Sequence, residues 1–78
     1  MQKRIGAMLM LLVPQVIKLI IENHSLSERD ATDAFYNSRV YSLLEDEETK
    51  MWHYSALTLF NMYNEERKTG NIIFPEGV

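Results

Sequence analysis

The stretch Phe35 to His53, FYNSRVYSLLEDEETKMWH, constrains this chain more than any other. It holds the single Trp, four of the eight aromatic residues (three Phe, one Trp, four Tyr) and an acidic run, near the middle of 78 residues. An aromatic side chain buries roughly 150 to 250 Å², so a core of this size has to close over Phe35, Tyr41 and Trp52. The remaining margin is thin, because one hydrophobic core in this size range supplies only about 3 to 5 kcal/mol. The chain has no cysteine and hence no disulfide or thiolate metal site to add to that margin. Burial against another protein is then the most available supplement, which favours a homodimer or a complex.

Charge narrows the partners. The formal net charge is −3, which works against nonspecific attraction to nucleic acid or to an anionic membrane. The acidity is uneven. Residues 1 to 42 carry five Lys/Arg against four Asp/Glu, and residues 43 to 78 carry three against seven. A basic partner would therefore meet the second half.

At the start, Lys3 and Arg4 followed by the apolar run Ile5 to Val13 imitate a secretory signal. No small-residue cleavage site follows, however, and Pro14, Gln15 and Lys18 lead directly into a helical pattern. Nor do residues 5 to 21 make a comfortable bilayer span, since Gln15 and Lys18 interrupt them. A cytoplasmic protein is expected, and the Asn23-His24-Ser25 sequon is read as a chance triplet. Val13, Val16, Ile17, Ile20 and Ile21 recur at i, i+3, i+4, i+7 and i+8, the stripe of one buried helix face. Pro14 suits a first helical turn and would clash with the Met10 carbonyl in an interior, so this helix is expected to open near Leu12 to Pro14 and to end near Asn23-His24. The run Met8 to Leu12 then becomes an apolar lead-in. It either folds back as an extra turn of core helix or packs on the C-terminal tail or another chain, and in the second case it is the candidate surface for self-association.

Ser27 reads as an N-cap, with Asp30 three residues on and Glu28 placed well for the helix dipole. Ala31, Ala34 and Phe35 share one side of the helix that follows. Asn37 and Ser38 compete for backbone hydrogen bonds and predict a break, after which Val40, Tyr41, Leu43 and Leu44 suggest a short helix; one bent helix through Leu44 is the alternative. Glu45-Asp46-Glu47-Glu48 would stabilise the start of a further helical segment at Thr49 to Trp52, with Asp46 and Lys50 paired at i, i+4. Ser55 offers another cap. Ala56, Leu59, Phe60 and Tyr63 trace a stripe that Gly70 closes after Arg67-Lys68. The tail Asn71 to Pro75 is a short β-prone run, too small to stand alone. Together these predict an all-α fold: one domain spanning residues 1–78, a small orthogonal bundle of four to five short helices with a short extended C-terminal tail, residues 1–7 being peripheral.

Catalytic equipment is not visible. His24 and His53 lie far apart and neither has a His or Cys at i+4. The three glycines, Gly6, Gly70 and Gly77, form no phosphate loop, and the acidic run lacks the alternation and central Gly of a calcium loop. No cofactor, no metal and no enzymatic activity are expected. A helix-turn-helix reading would need Arg39 to Leu44, or Ala56 to Lys68, as its recognition helix, with few bases to meet phosphates.

The segment AFYNSRVYSLLEDEETKMWHYS, with LLVPQVIKLI upstream and GNIIFPEG downstream, resembles a family of short bacterial proteins. They share an FYNS-x-x-Y-x-L-L-x-D-x-E-T-x-x-W-H pattern, here carried by Phe35, Tyr36, Asn37, Ser38, Tyr41, Leu43, Leu44, Asp46, Glu48, Thr49, Trp52 and His53. The resemblance covers nearly everything after Met8. It implies a gene carried on mobile elements, sometimes beside toxin-like genes, and hence an antitoxin or accessory interaction protein; it assigns no catalytic residues. Two functions are therefore expected to compete. One is a non-catalytic interaction module, probing a second copy or another protein with Met8, Leu9, Leu12, Ile72, Ile73 and Phe74, and selecting it with Glu45, Asp46, Glu47 and Glu48. The other is a small dimeric DNA-binding regulator that places Arg39, Arg67 and Lys68 along a groove.

Overall fold

The computed structural model describes residues 2–74, with side chains from residue 6 onward; Pro75 of the predicted tail lies outside the described residues. Helix α1 spans Gln2–His24, α2 Glu28–Tyr36, α3 Arg39–Glu45 and α4 Ala56–Thr69, with two 3₁₀ turns, Glu47–Thr49 and Met51–His53, between α3 and α4. The fold is all-α, a small bundle, with no strand among the described residues.

Helix α1 corrects the expected start at Leu12 to Pro14: it runs 23 residues and carries Pro14 in its interior. Two effects outweigh the proline. Met8 to Leu12 are all strong helix formers, and Leu9 and Leu12 pack against the core on the side that continues to Val13 and Val16. Fully burying a leucine is worth about 1.5 to 3 kcal/mol, so two partly buried ones approach the roughly 3 kcal/mol cost of an interior proline. The position also limits that cost. Pro14 is exposed, and the carbonyl that loses its donor belongs to Met10, itself 78% exposed, so water can serve it. One turn on, the Gln15 Nε2 donates to the Leu11 carbonyl at 2.8 Å. Because the helix is continuous, Gly6–His24 is long and apolar enough, by length and composition alone, to cross a membrane. Its residues Val13, Val16, Ile17 and Ile20 are nonetheless the bundle's core.

A short connection turns α2 back along α1. Ser25 takes a left-handed conformation at φ 56°, and the Ser27 hydroxyl accepts the Asp30 N–H at 3.1 Å as predicted. The break at Asn37-Ser38 is also present: α2 ends at Tyr36, and the Ser38 hydroxyl caps α3 by accepting the Tyr41 N–H at 3.1 Å. Buried Ala31 and Phe35 face the core from α2, Val40 and Leu44 from α3, and Leu59, Phe60, Met62 and Tyr63 from α4. Phe35 stands at its centre, edge-on to Tyr41 at 5.6 Å and to Tyr63 at 6.0 Å. Trp52 is only half-buried, a flank of the core and not its organiser.

The acidic run does not open an α-helix. Asp46 caps a single 3₁₀ turn by accepting the Glu48 N–H at 3.0 Å. Lys50 then sits at φ 56°, left-handed, which breaks the helical register that an Asp46–Lys50 pair at i, i+4 requires. The Thr49 hydroxyl holds the turn against α3, donating to the carbonyls of Leu43 (2.5 Å) and Asp46 (2.9 Å). Ser55 begins α4 and Gly70, at φ 80°, ends it, after which Ile72 packs on the core. An interior, outward-facing proline carries a direct consequence. Pro14→Ala should raise stability by about 1 to 3 kcal/mol, an increase of several degrees in Tm for a domain of this size, read by urea and thermal unfolding. A loss of stability would instead place Pro14 at the first turn of a shorter helix.

Candidate functional site: an open groove along the first helical hairpin

The described residues leave the seam between α1 and α2 open on one side, as a groove of about 750 Å³. Its α1 wall is Leu9, Met10, Val13, Pro14, Ile17, Lys18 and Ile21; its α2 wall is Glu28, Thr32 and Tyr36, with Tyr41 of α3 completing it. Glu28, Thr32 and Tyr36 follow at i, i+4 and i+8, which puts them on one ridge of α2. Among the described lining residues two are charged and of opposite sign, Lys18 and Glu28. Tyr36 and Tyr41 stack across the α2–α3 break, ring centres 4.6 Å apart and 15° from parallel. Tyr36 remains 49% exposed and Met10, on the opposite wall, 78%. Burial pushes the Tyr41 hydroxyl above its ordinary value of 10.0, with the Glu45 carboxylate and then Tyr36 adding to the effect. A groove of this kind can bind apolar surface. It holds neither a nucleophile–base pair nor a group of metal ligands among the described residues.

The ten residues singled out from sequence separate into three places. Leu9 lines the groove; Met8 and Leu12 are half-buried on α1 outside it, Leu12 against the core. Glu45, Asp46, Glu47 and Glu48 are exposed at the end of α3 and on the first 3₁₀ turn. Ile72 is half-buried on the core, whereas Ile73 and Phe74 are 57% and 50% exposed. Sequence reasoning missed the α2 wall and Tyr41 as groove residues, and it missed the face that joins Met10 and Pro14 to Ile17 and Ile21, because a helix expected to open at Leu12 to Pro14 leaves Met10 outside it.

Other polar residues are already committed within the fold. The Glu66 carboxylate accepts the N–H groups of Arg39 (2.9 Å) and Val40 (3.1 Å), capping the start of α3 from α4. This brings Arg39 close to the end of α4, where Arg67 lies 5.7 Å over the Tyr63 ring and its Nη1 donates to the Tyr63 hydroxyl at 3.4 Å. His24 and Asn64 share a 2.7 Å hydrogen bond between Nε2 and Oδ1 that ties α1 to α4. His53 packs edge-on to Trp52.

No family model, curated protein or solved structure matches this chain.

The raised Tyr41 value sets a pH dependence. Its folded value lies above the unfolded one, so the neutral phenol is favoured in the fold. That contribution is complete below about pH 10 and is lost as pH rises through the raised folded value. The wild-type urea midpoint should therefore fall in alkali above about pH 10, and Tyr41→Phe should flatten that fall. An identical alkaline profile for both proteins would assign the effect to other tyrosines.

Proposed function

We propose that this chain is a small non-catalytic protein-interaction module that takes an apolar helical segment into the α1–α2 groove. The observation that carries this reading is the groove itself: an apolar trough between two helices, with Met10 and Tyr36 standing exposed along it. Two helix ridges with an unfilled seam between them are the geometry into which a third helix packs. The acidic residues Glu45 to Glu48 lie outside that seam and act by repelling acidic competitors and steering basic ones. In the cell this is a cytoplasmic protein of the antitoxin-like or accessory type, the role that the sequence resemblance implies.

The alternative, a small dimeric DNA-binding regulator, draws less support. Arg39 and Arg67 are near one another, but Glu65 and Glu66 share that end of α4, and the exposed face of α3 leads into Glu45 to Glu48. Bases and carboxylates alternate there, so phosphates would meet no continuous basic surface.

The test is a fluorescently labelled peptide helix with leucines repeating every three and four residues, titrated with the protein and followed by anisotropy. Binding in the micromolar range is expected, with Tyr36→Glu weakening it at least tenfold, about 1.4 kcal/mol, while circular dichroism stays helical. No change in anisotropy up to about 1 mM of protein that sediments as a monomer, the regime of −4.1 kcal/mol, would remove the proposal.

A further inference from the structure

We infer that the helix filling this groove is α1 of a second copy of the chain, laid antiparallel across the first about a two-fold axis near Pro14. The inference rests on the interaction-module reading and names its partner.

The first support is a second stripe on α1. Ala7, Met10, Pro14, Ile17 and Ile21 follow one another at spacings of three, four, three and four, the a/d pattern of a helix that packs on another helix. This stripe is offset from the core stripe of Val13, Val16 and Ile20. Among the described residues no element covers its first half: Ala7, Met10 and Pro14 are exposed, whereas Ile17 is buried and Ile21 half-buried at the groove. One half of the stripe projects and the other half is recessed. An isologous contact requires a surface to be complementary to itself, and a two-fold axis perpendicular to α1 meets that requirement. It seats each Met10 over the partner copy's recessed Ile17 position, sets Ala7 against the Ile21 position, and brings the two Pro14 rings together at the axis. A parallel pair would instead stack Met10 on Met10 and leave the recessed half unfilled.

Charge points the same way. Two copies, each with a net charge of −3, repel most where Glu45 to Glu48 stand exposed. At the groove the described lining charges are one base and one acid, Lys18 and Glu28, so this is a face on which copies meet without that repulsion. Area sets the extent of the contact. A stable pair buries about 800 Å² on each side, a substantial share of the 5360 Å² that the single chain exposes. The α1 stripe alone is narrow, so the contact extends onto the α2 wall, where Tyr36 stands half-exposed.

The chain has no cysteine of its own, so single introduced cysteines report the geometry cleanly. In sedimentation equilibrium the full chain at about 100 μM, well above a micromolar Kd, should run at twice its 9.2 kDa mass. Met10→Glu should weaken association at least tenfold without loss of helical signal. Oxidising an equal mixture of Ala7→Cys and Ile21→Cys should give the mixed disulfide dimer, while Ala7→Cys alone should give little. A 9.2 kDa species at that concentration, a dimer indifferent to Met10→Glu, or efficient Ala7→Cys self-linkage would each overturn the inference. A monomer that still captures the leucine-repeat peptide at the groove overturns the second copy alone; a monomer that does not overturns the module reading as well.

Discussion

The continuity of α1 through Pro14 is the constraint on which the rest of this structure depends. A helix that began at the proline would have a single job, to present Val13, Val16, Ile17 and Ile20 to the core. By running from Gln2 it acquires two faces. One adds Leu9 and Leu12 to the core; the other carries Met10 and Pro14 into solvent and, with α2 turned back beside it, makes the groove. The contest is close in energy, since an interior proline costs about as much as two partly buried leucines return. It is decided by where the proline faces: outward, its missing N–H orphans a carbonyl that water can reach.

The groove and the acidic turn divide the surface by chemistry. The trough between α1 and α2 is apolar and nearly balanced in charge, while Glu45 to Glu48 concentrate negative charge at the far end of α3 and the turn after it. Affinity in such a surface comes from burial and selectivity from charge, and here the two are carried by separate elements.

Much of the fold was legible in the sequence wherever the deciding interaction is local. Ser27, Ser38 and Ser55 each accept an N–H three residues on, and Gly70 closes α4 with a positive φ that few other residues accept. Such signals are contained within a few residues, so helix ends could be placed. What failed was decided at long range. Pro14 obeys its local rule only until Leu9 and Leu12 find the core. Trp52 promised to be central by size, yet its short 3₁₀ turn leaves it on the flank, while Phe35 and Tyr63, from α2 and α4, take the middle. The acidic run looked like a helix start, but Thr49 is tied back to α3 and Lys50 reverses the backbone. The candidate site was only partly visible for the same reason: Leu9 was found from its apolar run, whereas Tyr36 and Tyr41 become neighbours only after the chain breaks between them.

The reach of Glu66 across 27 and 26 residues to the first two N–H groups of α3 also orders events in time. A 7-residue helix lies well below the length at which helices persist in water unaided. During synthesis α3 must therefore wait for α4 to leave the ribosome before it is pinned, whereas the α1–α2 hairpin is complete by Tyr36. The first turn of α3, and with it the position of Tyr41 at the end of the groove, is thus settled only once α4 has docked.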